Sequence, residues 1–265
     1  MKKFNLSPNA YYNHLKHKKK TYHAEKKKIL KIIENTFHEH QGIPGYRMMQ
    51  KLLEQKGIKR SKLTVYKYMS DLNLRSVVMR KKPKYVKGEQ HQLFTNQLDR
   101  KFTALNPNEK WCTDFTYITL TNGQKRYNCS ILDLYNRSIV ASLNSKYINA
   151  DLAINTLKMA LKKHNIQGSI LLHSDQGSQF ASKAFTEFCK ENNVVQSMSK
   201  AGCPYDNAPM ERFYNTLKNE YINLHYFKDD VSLENGLNEY IFGWYNCIRP
   251  HTYNGGIPPA KARSR

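Results

Sequence analysis

The sequence predicts an α/β protein, a mixed sheet flanked by helices, preceded by a small all-α domain containing a helix-turn-helix. Three observations carry that expectation. In the N-terminal part, apolar residues recur at helical spacing between glycine turns. Beyond residue 108, three β-like runs follow one another around an Asn-Gly turn, and helical and strand-like stretches then alternate. Charge divides the chain at the same place. Residues 1–110 hold 26 Lys/Arg against 8 Asp/Glu, a net of +18, whereas residues 111–265 hold 17 against 13, a net of +4.

At 265 residues and 40% hydrophobic content, the chain has room for two domains with real cores. The basic part is suited to a polyanion, most simply nucleic acid, against the blander reading of a basic soluble or membrane-surface segment. The five cysteines (Cys112, Cys129, Cys189, Cys203, Cys247) are odd in number and have no zinc-ligand spacing. That argues for a reducing compartment and against a disulfide scaffold or zinc finger. His14, His17, His38 and His40 lack cysteine partners and are read as facing solvent or phosphate. With no leader-like segment and no apolar run of membrane length, the expected location is cytoplasmic, with no membrane partner.

Four regions are expected: a basic arm at 1–23, the helix-turn-helix domain at 24–74, a basic linker at 75–107 and the α/β domain at 108–265. The first helix spans about 24–40, with Ile29, Ile32, Ile33 and Phe37 inward, and stops at Gly42-Ile43-Pro44-Gly45. The second, Tyr46–Gln55, turns Met49, Leu52 and Leu53 inward. After the turn at Gly57, Ser61 caps a third helix over 62–72 with Leu63, Tyr66 and Met69 near one face. That leaves Lys62, Thr64 and Lys67 for phosphates or base edges of double-stranded DNA. A three-helix bundle used for protein contact is the alternative. In the linker, Arg80, Lys81 and Lys82 suit tracking of a phosphate backbone.

The α/β domain opens with strands at 110–119, 126–135 and 138–145, the first two joined through Asn122-Gly123. A helix follows at 151–164, a fourth strand at 169–173, a helix at 181–192 and a fifth strand at 194–197. A long helix then carries Glu211, and a last one spans 231–247. On the Glu211 helix, Met210, Phe213, Leu217, Tyr221 and Leu224 fall within one arc of about 80° and form a core stripe. Asn207, Glu211, Tyr214, Asn215 and Lys218 are placed on the other side. Asp206 is read as the cap of this helix, with Pro209 in its first turn, and Asp133 as a structural acid.

The chemistry rests on three acids. Asp114 lies within the first strand, Asp175 ends the fourth, and Glu211 follows Asp175 after 35 intervening residues. Carboxylates brought together repel and rise in pKa unless a cation neutralises them. Oxygen ligands without a His/Cys set point to a hard ion, Mg²⁺ or Mn²⁺, and two such ions suit in-line displacement at a phosphodiester.

At these residues the chain resembles the OrfB transposases of bacterial insertion sequences, in particular the IS-three family, whose core is similar to retroviral integrases. The resemblance covers nearly the whole chain. It runs through Gly45-Tyr46-Arg47, Thr64-Val65-Tyr66, Trp111-Cys112-Thr113-Asp114 and His173-Ser174-Asp175-Gln176-Gly177-Ser178-Gln179. It continues through Asp206-Asn207-Ala208, Glu211, Lys218, Tyr245-Asn246 and Arg249-Pro250-His251. It implies an RNase H-like core and metal-dependent cleavage and transfer of DNA strands at element ends. Asp114, Asp175 and Glu211 would be catalytic metal ligands, and Lys218 would contact terminal DNA. His173, Gln179, Asn207 and Asn215 would shape the site. The implied partners are terminal inverted repeats, target DNA, further copies of the chain on DNA, and an upstream-frame product as partner or fusion. The implied setting is the bacterial nucleoid. One departure is local: after Arg249-Pro250-His251 the family continues to a Leu-Gly, whereas here Tyr253-Asn254-Gly255-Gly256 intervenes. A non-catalytic DNA-binding regulator and an RNase H-type nuclease without strand transfer are the competing readings.

Overall fold

The computed structural model describes Tyr12 and residues 18–78, 94–164, 166, 168–200 and 202–264. Arg80, Lys81 and Lys82 lie outside the described residues, as do His14 and His17. The chain forms two compact units, residues 1–78 and residues 79–265.

In the first unit, α1 (Lys18–Glu39), α2 (Tyr46–Gln55) and α3 (Lys62–Asp71) pack around Ile29, Ile33, Phe37, Met49, Leu53, Val65, Tyr68 and Met69. Helical spacing explains the seam, since Ile29, Ile33 and Phe37 are four residues apart. Gln41 and Gly42 both take positive φ, 52° and 76°, and turn the chain between α1 and α2. Ser61 caps α3 by accepting from the Thr64 N–H at 3.1 Å. Lys26 pairs with Asp71 at 2.8 Å and ties α1 to α3.

Two expectations are corrected here. Residues 18–23, assigned to an arm, belong to α1. On α3 the buried face is Val65, Tyr68 and Met69, while Leu63 and Tyr66 are 63% and 54% exposed. The Val65–Met69 pair, four residues apart, forms the tighter seam against α1 and α2.

The second unit holds a five-stranded sheet in the order β3-β2-β1-β4-β5. The strands are β1 (Lys110–Thr119), β2 (Lys125–Asp133), β3 (Ile139–Ser145), β4 (Ile170–Ser174) and β5 (Val194–Met198). β1, β2 and β3 are antiparallel neighbours, and β4 and β5 run parallel to β1. Gly123, at φ 81°, makes the β1–β2 turn. α4 (Ala150–His164) and α5 (Lys183–Glu191) bury Ala153, Leu157, Phe185 and Cys189 with Trp111 and Ile131 in one core. α6 (Ala208–Glu220) and α7 (Asp230–Asn238) bury Met210, Phe213, Leu217, Leu233 and Leu237 with Cys112, Ile118 and Leu132 in another. The period-2 alternation of Trp111 and Cys112 divides β1 between the two cores.

α7 runs on as a π-helical stretch, Glu239–Ile248, whose i→i+5 bonding sets Tyr240 and Tyr245 on one face. Within it, Asn246 accepts from the Ile139 N–H and donates to the Ile139 carbonyl, both at 2.9 Å, holding the start of β3. α8 (Pro259–Arg263) brings Arg263 to the fully buried Asp133 at 2.6 Å. Part of the stretch read as a linker is packed: Leu98 is 1% exposed, and the N–H groups of Gln97 and Leu98 donate to Ser197. Among the described residues no helix is long and apolar enough to cross a membrane.

Candidate active site

The pairing of β1 with β4 places the first two acids. Cys112 is level with His173 in parallel register, so Asp114 and Asp175 each stand two residues beyond the same step. They leave neighbouring strands side by side. The chain turns at once after β4, because Asp175 Oδ1 accepts from the Gly177 N–H at 2.9 Å, an Asx-type turn. Asp114 Oδ1 accepts from the Phe115 N–H at 2.7 Å.

Helix α6 supplies the third acid, and two hydrogen bonds fix how it lies. Asn207, at its N-cap position, donates to the Thr113 carbonyl at 3.1 Å. Tyr214 donates to the Asp114 carbonyl at 2.8 Å. Glu211 lies between these anchors, four residues after one and three before the other, so it shares their face toward the end of β1.

The electrostatics agree with convergence. Burial, and then the charges of Asp175 and Glu211, push the Asp114 carboxyl up to about 8, with Lys218 acting against that rise. Burial also raises Asp175 and Glu211. Among the described residues, no three His, Cys, Asp or Glu side chains already stand at metal-ligand spacing. Gly177 is closely packed beside Asp175: an added Cβ would sit 2.9 Å from Asp175 Oδ1 and 3.1 Å from the amide oxygen of Gln179.

The other expected site residues divide. Asn207 is 3% exposed, and its Oδ1 has no hydrogen-bond partner among the described residues. Lys218 is half-buried, with Nζ 5.0 Å from the centre of the Tyr117 ring. Burial lowers its pKa, opposed by the Asp114 charge. Asn215 is exposed and accepts from Asn219 along the helix. Gln179 is half-buried beside Gly177. On α3, Lys62 and Lys67 are exposed, while the Thr64 hydroxyl is engaged with Ser61 at 2.9 Å.

Four placements correct the sequence reading. His173 is fully buried with its ring nitrogens bonded to Ser197 and Ser199 at 2.9 and 3.1 Å, so it braces β4 against β5 and does not face a substrate. Burial lowers its pKa to about 4 and keeps it neutral. Asp206 does not cap α6; it is 2% exposed and accepts from Arg100, Asn96 and the Lys200 N–H. Tyr214 is buried rather than on the polar side. Leu224 is 37% exposed because α6 ends at Glu220 and Tyr221 breaks helical geometry at φ −136°. Tyr117 was not singled out in the sequence. Lys218 and Lys125 both approach its ring, at 5.0 and 5.6 Å, and nothing in strand patterning marks that.

Comparison with known proteins gives the family and the fold. Integrase core domain models match residues 104–204 and 192–259, and an HTH-like domain model matches residues 24–82. The chain is 34% identical to the putative transposase InsK of insertion element IS150 from Escherichia coli K12, over 97% of this chain and 89% of that protein. It is 32% identical to the transposase of IS904 from Lactococcus lactis, over 86% of this chain and 90% of the relative. In fold it is similar to a chain of the simian T-cell lymphotropic virus intasome, with a TM-score of 0.52 at 16% identity over 82% of this chain and 70% of that one. The acids therefore sit in an RNase H-like core, and the chain belongs to the integrase-core transposases of bacterial insertion sequences, as an OrfB-type member of the IS3 family.

Proposed function

We propose that this transposase cleaves and transfers DNA strands at the ends of its insertion sequence, using divalent cations held by Asp114, Asp175 and Glu211. The observation that carries the reading is the level register of Asp114 and Asp175 on β1 and β4, with Glu211 bracketed against β1 by Asn207 and Tyr214. The donor set is all oxygen, which fits Mg²⁺ or Mn²⁺. The buried, unpartnered Asn207 Oδ1 fits an ion with its water shell. Two ions, when bound, supply activation of the attacking hydroxyl and stabilisation of the leaving oxygen.

The residues of the chain do the rest. Asp114 on β1 and Asp175 just past the end of β4 give a fixed edge, and α6 sets Glu211 opposite them. In cleavage, a water oxygen bonds to phosphorus as the bond to the 3′ oxygen breaks. In transfer, the oxygen of that 3′-OH bonds to a target phosphorus as the target's own bond to its 3′ oxygen breaks, the hydroxyl proton passing to the departing oxygen through solvent, so no protein nucleophile is needed. Lys218 lies two turns beyond Glu211, about 10 Å along the helix, and holds a neighbouring phosphate. Lys62, Lys67 and Thr64 bind the terminal repeat, with Arg80, Lys81 and Lys82 following its backbone. The working form is an oligomer on DNA, with the upstream-frame product as partner or fusion.

The test uses labelled element ends in Mg²⁺. Asp114→Asn, Asp175→Asn and Glu211→Gln should each abolish cleavage and keep DNA binding, with losses that do not add. A variant that cuts at the wild-type rate removes its residue from the ligand set. Cleaved 3′ ends that never join a second duplex would favour a nuclease. Lys62→Ala and Lys67→Ala should weaken binding of terminal-repeat DNA, and each phosphate left without its cation should lower the salt slope by about 1. Unchanged binding would exclude these residues.

A further inference from the structure

α6 has another side. The face bearing Arg212 and Thr216, about 100–140° around the helix from Glu211, lines a cleft of about 480 Å³ closed by the segment after the π-helical stretch. Arg137, Arg212, Arg249, His251, Phe102 and Tyr253 are among its walls, and none of the lining residues is an acid.

The charges in this cleft are unevenly answered. Arg249 is matched by Glu220 at 2.7 and 2.8 Å. Arg137 is not matched. It is 8% exposed, its Nη2 donates to the Phe102 carbonyl at 2.7 Å, and its Nη1 has no partner among the described residues. The acid on the same turn, Asp133, is taken by Arg263. Arg137 also holds φ 65°, a strained value for a non-glycine residue, and its guanidinium lies 3.9 Å over the Tyr253 ring. His251 Nδ1 is likewise buried without a partner among the described residues. Burial and the charges of Arg249, Arg137 and Arg212 lower the His251 pKa to about 4, so the imidazole stays neutral in a cationic field. Arg212 is exposed at the rim and forms no ion pair among the described residues. A buried guanidinium N–H without an acceptor is unfavourable until one reaches it.

We infer that this cleft is a second phosphate site, outside the carboxylate cluster, that takes one phosphodiester of a DNA strand between Arg137 and Arg212. Arginine forks suit phosphate oxygens, and Tyr253 and Phe102 offer aromatic surface for the attached base. The assignment of DNA as the source of the phosphate rests on the strand-transfer reading; the anion site itself does not. One helix then engages a strand on two sides, at the reacting phosphate and at a neighbour held by Arg212.

The test is calorimetric titration of the full chain, free of divalent metal, with a thymidine trinucleotide and separately with inorganic phosphate. Arg212→Glu should weaken trinucleotide binding at least tenfold. Lys183→Glu, an equal charge change at a side chain 88% exposed on α5, should alter it less than twofold. Arg137→Gln should match Arg212→Glu while melting as a folded protein. Inorganic phosphate should compete with the trinucleotide. Equal affinity in Arg212→Glu and Lys183→Glu overturns the site. Binding of inorganic phosphate that the trinucleotide cannot displace overturns DNA as its source. Asp114→Asn should still bind the trinucleotide, so failure of the strand-transfer reading would leave an Arg212-dependent signal intact.

Discussion

Replacing Tyr214 with Phe removes a single oxygen and tests how α6 is held. The ring is 5% exposed and packs at 5.2 Å from the Phe213 ring, so the phenylalanine keeps its shape and packing. The hydroxyl that is removed donates to the Asp114 carbonyl at 2.8 Å and lies 3.2 Å from Asn128 Oδ1. Asn128 Oδ1 retains Ser130 as a donor at 2.8 Å, and the Asn128 carbonyl is farther from the hydroxyl, at 3.3 Å, so the Asp114 carbonyl bears most of the effect. Leaving a buried acceptor short of a donor costs about 1–2 kcal/mol, which lowers the melting temperature by roughly 2–8 °C in a unit of this size. Activity should fall further than stability. Glu211 sits three residues from the missing bond, and a displacement of about 1 Å of a reacting group can cost about a hundredfold in rate. The assay is Mg²⁺-dependent cleavage of a labelled element end, run well below the melting temperature beside Leu237→Ala. Leu237 is 1% exposed on α7 and should lose more stability while retaining cleavage. Wild-type cleavage by Tyr214→Phe, or equal activity loss in Leu237→Ala, would refute the role assigned to this bond.

Lys218→Ala should depress joining of cleaved ends at least tenfold and lower stability by less than about 1 kcal/mol, since its approach to Tyr117 is a partly exposed cation–π pair. Leu217→Ala, at 0% exposure, should lose roughly 2–5 kcal/mol, read by thermal melting. If Lys218→Ala melts early and Leu217→Ala does not, α6 faces the other way. Gly177→Ala places a Cβ 2.9 Å from Asp175 Oδ1 and should reduce cleavage strongly with little change in DNA binding; full activity would show that the placement of Asp175 does not depend on the glycine.

The sequence made parts of this legible through local signals. Asn122-Gly123 located the β1–β2 turn, Ser61 located the start of α3, and β1 appears over Lys110–Thr119 as its pattern predicted. Asp114, Asp175 and Glu211 were candidates by residue type and spacing. Their placement by register became visible only with the sheet order, since β4 pairs with β1 across 60 or so residues. Helical periodicity misplaced Tyr214 because it lies only about 20° beyond the edge of the apolar stripe. There a tyrosine can bury its ring and still reach the Asp114 carbonyl. Asp206 and His173 were misread for a shared reason. Both are polar residues beside the site whose partners, Arg100 and the two serines of the β5 end, are remote in sequence. The Arg137 cleft had no sequence signature, because it depends on an unusual backbone angle and on a tyrosine that follows it by more than a hundred residues.

The central claim, that three carboxylates jointly hold a cation, is tested most directly by thermal melts across pH with and without Mn²⁺ or Mg²⁺. Without metal, the Asp114 carboxyl titrates near 8 in the folded chain and in the ordinary carboxylate range when unfolded. The folded state therefore binds the extra proton, and stability present at low pH is lost as pH rises through about 8. Asp114→Asn should flatten that decline. Metal binds the ionised acids, so its stabilisation should grow with pH, reaching about 2.7 kcal/mol at a hundredfold excess over Kd. It should disappear in Asp114→Asn, Asp175→Asn and Glu211→Gln alike. Equal metal stabilisation of wild type and these three variants, or a metal-free pH profile unchanged by Asp114→Asn, would contradict the account.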